Sequence, residues 1–190
     1  MNDTLFTDKT FTGIDFGKET FAKGDYENCN FVNCNFTGIH LSGSAFMECS
    51  FDGCNFSSTQ LKNTALKTIN FKNCKLLGAN FSECNPFLLG FTFENCILQL
   101  ASFYRLKIKG TKFADCNLQE ADFTEADLGT SLFKNCDLGG ATFENTILEK
   151  ADLRTAFHYS IDPELNKIKK AKFAKEGLSG LLDRYGIEIE

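Results

Sequence analysis

The chain has no tryptophan and only two prolines, two methionines and two histidines among its 190 residues. So little proline excludes a collagen-like or proline-rich chain. Two isolated histidines leave little for imidazole catalysis or a histidine metal site. Apolar runs are only a few residues long, far short of the roughly 20 needed to cross a bilayer as a helix, so no membrane role is expected. Cations are in deficit, 20 against 25 carboxylates for a net charge of -5, which opposes direct nucleic-acid binding, since that needs a basic footprint. The first residues lack a basic end followed by an apolar core, so the expected location is cytoplasmic. The length points to one domain.

What is present is concentrated in two residue types, 21 phenylalanines and 9 cysteines. From Phe6 to Phe81 every fifth residue is large and apolar, and from Leu88 to Leu153 the series runs again two residues out of phase. A period of five fits neither a helix nor a strand, so the chain must turn a corner about every five residues to aim these side chains inward. Two places before each large residue stands a small one, such as Ala79, Ala101, Ala121 or Ala151, and all nine cysteines fall there. Between the two inward positions asparagine or aspartate recurs (Asn35, Asn55, Asn117, Asp122, Asp127, Asp137, Asp152), a residue suited to bonding nearby backbone at a corner. Two places after the large residue glycine recurs, at Gly13, Gly38, Gly43, Gly53, Gly78, Gly90, Gly110 and Gly140, which marks turns.

If four such units close one coil, residues 20 apart stack, or 22 apart across the shift near residues 84–88. Phe11, Phe31, Phe51, Phe71, Phe93, Phe113, Phe133 and Leu153 then form one interior column. Cys34, Cys54, Cys74, Cys96, Cys116 and Cys136 form an unbroken ladder on the next wall. Thirty repeats make about 7.5 coils, roughly 36 Å of rod at the strand spacing of about 4.8 Å.

This pattern of small residue, Asp or Asn, Phe or Leu, and two variable positions resembles the pentapeptide-repeat family. Ala121-Asp122-Phe123-Thr124-Glu125 and Ala126-Asp127-Leu128-Gly129-Thr130 carry it most cleanly. The resemblance implies an all-β solenoid, the family's right-handed quadrilateral β-helix, over residues 1–155. Residues 156–190 then read as a distorted last coil and a short C-terminal α-helical cap. In that coil His158 and Pro163 are poor interior residues, and Asp162-Pro163-Glu164 has the chemistry of a helix start, with Asp162 as its cap. Leu178, Leu181, Leu182 and Tyr185 follow at helical spacing, and Gly186 is suited to a C-terminal stop. Ile187-Glu188-Ile189-Glu190 alternates like a strand. In arrangement this end resembles the Qnr-like quinolone-resistance and microcin-immunity branch, whose members dimerise through it. The resemblance thus implies a homodimer with Leu178, Leu181, Leu182, Tyr185, Ile187 and Ile189 at the cap or dimer contact. Long projecting loops of the Qnr kind are absent; the chain offers only the two-residue insertion at Cys84-Asn85-Pro86-Phe87-Leu88.

Enzyme chemistry lacks its parts, because a filled rod has no cleft and neither His40 nor His158 has a nucleophile partner in view. The closest cysteines, Cys29 and Cys34 or Cys49 and Cys54, follow the repeat rather than the two-to-four-residue spacing of zinc sites. They read as buried core thiols, with no metal, no cofactor and no disulfide.

Charge is the remaining functional signal. Residues 1–56 sum to -5, residues 57–112 to +6, residues 113–155 to -6 and the remainder to zero. The basic belt comprises Lys62, Lys67, Lys72, Lys75, Arg105, Lys107, Lys109 and Lys112. Asp115, Glu120, Asp122, Glu125, Asp127, Glu144 and Glu149 form a candidate acidic partner surface. The family resemblance implies a rod that imitates duplex DNA and binds a type II topoisomerase, DNA gyrase or topoisomerase IV. Duplex DNA carries one charge per about 1.7 Å, roughly 21 over such a rod, whereas residues up to 155 hold 19 carboxylates and 14 cations. The alternative is a general structural or scaffold rod with another protein partner, its outward charge serving solubility.

Overall fold

The computed structural model describes residues 4–188 and shows a chain wound into a parallel β-solenoid of square section. Four faces follow from the five-residue period. On the first, β1 (Leu5–Thr7), β3 (Asp25–Glu27), β5 (Ala45–Met47) and β7 (Ala65–Lys67) stack as a four-stranded sheet. On the second, β2 (Thr10–Thr12), β4 (Asn30–Val32), β6 (Ser50–Asp52), β8 (Ile69–Lys72), β9 (Phe91–Glu94), β10 (Lys112–Ala114), β11 (Leu132–Lys134), β12 (Asp152–Leu153) and β13 (Lys172–Phe173) form a nine-stranded sheet. The third and fourth faces are held by single parallel bridges such as Asn35 to Asn55 and Ser102 to Asp122.

The register is the one the repeat dictates. Phe31 lies over Phe51, 20 residues on, and Phe71 over Phe93, 22 residues on, so the faces stay aligned across the insertion. The phenylalanine column of the second face is continuous, with stacked rings 4.8 Å apart at Phe31 and Phe51 and 5.0 Å apart at Phe113 and Phe133. A second column runs beside it, and it changes face. Phe16, Phe36 and Phe56 occupy the third face in the early coils, and Phe81, Phe103, Phe123 and Phe143 the fourth in the later ones. Edge-to-face contacts such as Phe31 with Phe36 and Phe103 with Phe113 tie this second column to the main one, the arrangement that aromatic quadrupoles favour.

The corners explain the outward residues. The Asn or Asp between the inward positions accepts a hydrogen bond from the backbone N–H two residues on, as Asn35 does from Thr37 at 3.1 Å and Asp122 from Thr124 at 2.9 Å. Two places after the centre the backbone is left-handed, at glycine such as Gly43 (φ 84°) or at asparagine such as Asn33 (φ 53°). Asparagine tolerates this region through local hydrogen bonding.

The cysteines do more than fill small spaces. Before Ala79, Ala101 and Ala121 the corner closes on itself, the alanine N–H bonding the carbonyl three residues back. The corners before Cys29, Cys54 and Cys74 are instead spread into strands, and the thiol reaches the carbonyl that begins the same corner one coil below. Cys54 Sγ lies 3.3 Å from the Phe31 oxygen and Cys74 Sγ 3.3 Å from that of Phe51. Asn166 serves Phe143 in the same way, while Thr59 and Thr146 add a second donor to the Phe36 and Phe123 carbonyls, which already accept the Ile39 and Ala126 N–H groups. A buried carbonyl needs such a partner. All nine thiols are free and buried, and burial pushes Cys49 up to about 11 and Cys84 up to about 12. In Ellman titration at pH 8 the native protein is therefore expected to react only as fast as it unfolds, and fully once denatured. Rapid reaction of most thiols in the native state would refute their burial.

One expected interior position, Leu88, is corrected by local geometry, and the same geometry turns out His158, expected to be a poor interior residue. Leu88 and His158 both take the left-handed slot (φ 59° each), which throws their side chains into solvent. Phe91 fills the interior space at the first, its ring 5.2 Å from Phe81, and Tyr159 does so at the second, 5.6 Å from Phe173. The left-handed residue of the insertion is thus Leu88, and Gly90, expected to mark the turn there, is not among those with positive φ.

The C-terminal cap is helical as expected, but it is wound as 3-10 turns, Lys175–Leu181 and Asp183–Tyr185. The tighter winding follows from close packing: Gly177 and Gly180 lie against Tyr159, and the Gly180 carbonyl accepts the Ile161 N–H at 2.8 Å. Asp162 caps as expected, accepting the Glu164 N–H at 2.8 Å, but the segment stops after a single turn, closed by the Asn166 N–H on the Asp162 carbonyl at 3.2 Å.

Candidate interaction surfaces

The interior is filled with side chains, so whatever the rod does it does with its exterior. The seven candidate carboxylates come from three kinds of position. Asp122 and Asp127 are corner residues whose oxygens accept the N–H groups of Thr124 and Gly129, at 2.9 and 3.2 Å. They are half-buried and partly structural. Asp115, Glu120 and Glu125 hold left-handed corners, and Glu144 and Glu149 follow the buried centres Phe143 and Leu148. All five of these are exposed.

The winding brings Asp122, Glu125, Asp127 and Glu144 around one edge, between the fourth and first faces, where the Glu125 N–H bonds the Glu144 carbonyl at 2.7 Å. Asp115, Glu120 and Glu149 stand on the other three edges. Not all this charge is free to meet a partner. Arg105 holds Glu125 through two hydrogen bonds of 2.8 and 3.0 Å, and its guanidinium keeps the Glu125 carboxyl below its ordinary range. Lys109 pairs with Asp127 at 3.2 Å. Among the described residues no ion pair engages Asp115, Glu120, Glu144 or Glu149, which form the open part of the acidic surface.

The basic belt is likewise distributed over the faces. Lys72 pairs with Glu94 at 3.0 Å, Arg105 and Lys109 are paired as above, and Lys67 lies over the Phe87 ring at 5.4 Å. Sequence reasoning did not foresee the apolar knob beside it: Phe87 and Leu88 are 65% and 63% exposed. The residues Asn85-Pro86 carried a local signal, since Asn85 accepts the Phe87 N–H at 3.0 Å like any corner residue. Proline then occupies the centre slot that an inward Phe or Leu would hold.

At the C-terminal end, Leu181 and Leu182 are half-buried, while Leu178, Tyr185 and Ile187 are exposed; Ile189 lies outside the described residues. The cap is pinned to the last coil by Arg184, which donates to Asp162 and Glu164, and by the Tyr185 hydroxyl on Glu164 at 3.0 Å. A shallow cavity of about 570 Å³ separates cap and coil, lined by Phe157, His158, Gly177 and Asp183 among others. His158 is tied to Asp137 at 3.0 Å. No cluster of three or more metal-ligating side chains occurs among the described residues, and no helix there is long and apolar enough to cross a membrane.

Comparison with known proteins agrees with this geometry. A family model for the pentapeptide repeat region matches residues 24–86 and 88–156. No curated protein matches the sequence. Among solved structures, full-length QnrB1, a plasmid-mediated fluoroquinolone resistance protein, aligns over 97% of this chain and 100% of its own, with 21% identity and a TM-score of 0.56. HetL, a pentapeptide repeat protein involved in heterocyst differentiation regulation from the cyanobacterium Nostoc sp. strain PCC 7120, aligns over 90% of this chain and 85% of its own, with 19% identity and a TM-score of 0.45.

Proposed function

Given that the chain belongs to the pentapeptide-repeat family, we propose that it is a non-enzymatic, protein-binding rod that presents its acidic C-terminal coils to the DNA-binding groove of a type II topoisomerase, DNA gyrase or topoisomerase IV. The observation that carries this reading is the set of four exposed carboxylates outside any ion pair, Asp115, Glu120, Glu144 and Glu149, in successive coils. They stand on the four different edges of the rod within adjacent coils, which rise by about 4.8 Å each, so a basic groove that wraps around the rod meets them together. A second copy joined through the cap would double the acidic length, and exposed Leu178, Tyr185 and Ile187 supply apolar surface for that contact.

Charge complementarity mainly steers association and falls off with salt. Immobilised protein is therefore expected to capture DNA gyrase at low ionic strength, to lose it steeply as salt rises, and to lose it to added duplex DNA. Capture that neither salt nor DNA disturbs favours the second reading, a structural rod with another protein contact. The neutralised pairs Arg105–Glu125 and Lys109–Asp127 speak for that reading.

A further inference from the structure

We propose that the insertion at residues 85–91, together with the groove beside it, is a docking site for an extended acidic segment of a partner protein that anchors through an apolar side chain. The site borders the acidic edge above at Asp127, but it contains none of the four open carboxylates and its other charged side chains are cationic.

Three observations converge on one face. The first-face sheet ends at β7, and bridging on that face resumes only at Lys107, which pairs with Asp127. Between them the chain bulges outward, so the face is interrupted where every other coil is continuous. The bulge leaves a groove of about 500 Å³ whose lining includes apolar Leu89, Phe91 and Ile108, the paired Lys109 and Asp127, and Lys107 as its unpaired cation among the described residues. On its outer side Phe87 and Leu88 are adjacent in sequence and both largely exposed, with the Lys67 ammonium 5.4 Å from the Phe87 ring. Large adjacent apolar side chains in solvent, rimmed by charge, mark a contact surface.

The charge selects the partner. Residues 57–112 carry eight cations against two carboxylates, and among the described residues neither Lys67 nor Lys107 is in an ion pair. An acidic segment gains both ammoniums, while Phe87 and Leu88 require an apolar group to cover them. A phosphate backbone satisfies the first need and not the second, and the remaining belt cations lie on other faces or are paired. The groove lies where the first-face sheet is interrupted, a place that an extended backbone can occupy as a strand would.

The test uses the full chain and a fluorescein-labelled octapeptide, Glu-Glu-Asp-Leu-Phe-Asp-Glu-Glu, read by anisotropy. Saturable binding is expected, weakened about tenfold or more by Phe87→Ser with Leu88→Ser, by Lys67→Glu with Lys107→Glu, or by replacing the peptide's Leu-Phe with Ser-Gly. All four side chains project outward, so both variants should keep the wild-type melting midpoint, which circular dichroism checks. No saturable binding overturns the proposal. Equal binding by both variants does so too, and so does binding of duplex DNA or anionic vesicles that ignores the loss of Phe87 and Leu88. Sedimentation showing self-association lost in the Phe87→Ser, Leu88→Ser variant would reassign the knob to contacts between copies.

Discussion

Replacing Phe71 by alanine is expected to lower the unfolding free energy by about 3–5 kcal/mol, among the largest effects of any single truncation in the rod. Phe71 is 3% exposed and stands where the second aromatic column changes face. It stacks on Phe51 at 5.2 Å and Phe93 at 5.3 Å, meets Phe56 edge-on at 5.6 Å, and meets Phe81 at 6.2 Å. Alanine there breaks the main column and the junction between the early and late halves of the second. In a solenoid each coil contacts only its neighbours, so stability is approximately a sum of coil and interface terms. Losing the joining residue should therefore split the denaturant transition as well as shift it. Phe6→Ala, at the half-buried first coil, should cost much less. An unchanged midpoint for Phe71→Ala would contradict the interior described here.

Gly180→Ala is expected to release the cap. Gly180 is buried, its carbonyl accepts the Ile161 N–H, and a methyl group on it would land on the Tyr159 carbonyl oxygen. That neighbour is backbone and cannot step aside, so overpacking of about 1–3 kcal/mol is concentrated on one short contact. Since each 1.4 kcal/mol is about a factor of ten in an equilibrium, tryptic cleavage after Lys175 and Arg184 should rise by roughly ten- to a hundredfold. Gly186→Ala is the control. Its φ is 58°, and nothing lies within 4 Å of the added carbon, so only the left-handed backbone is penalised, by about 1 kcal/mol. Equal protection of Gly180→Ala and wild type would mean that the cap is not held by this contact. If the cap also joins two copies, Gly180→Ala should be the more monomeric of the two variants.

The sequence was most legible where physics repeats. A large residue at every fifth place must point inward, and with four such units to a coil the pattern predicts the second-face column from Phe11 to Leu153, the stacking by 20 and 22, and the cysteine ladder. Legibility failed where one residue could satisfy two slots. Leu88 is apolar and opens the resumed phase, so periodicity placed it inside; the corner chemistry of Asn85 and the proline after it placed it in the left-handed position, and local backbone geometry won. His158, already a poor interior residue by its chemistry, takes the same left-handed slot, and in both places an aromatic residue further on, Phe91 or Tyr159, fills the space. The helical spacing of Leu178, Leu181, Leu182 and Tyr185 identified a cap. It did not reveal how closely Tyr159 approaches the backbone at Gly177 and Gly180, which favours 3-10 turns. For the candidate surface, composition located the acidic coils. Their division into paired and open carboxylates depends on which coil stacks on which, and Arg105 meeting Glu125 is visible only once the 20-residue register is applied.

The central claim is that open carboxylates on the C-terminal coils engage a topoisomerase. It is tested most directly by quinolone-inhibited DNA gyrase supercoiling, titrated with wild type and with a variant carrying Asp115→Asn, Glu120→Gln, Glu144→Gln and Glu149→Gln. These four are exposed and outside the ion pairs, so the variant should fold as wild type does. Wild type is expected to restore supercoiling, and the variant is expected to fail to do so at the same concentration. No protection by folded wild-type protein, or equal protection by both, would contradict the claim.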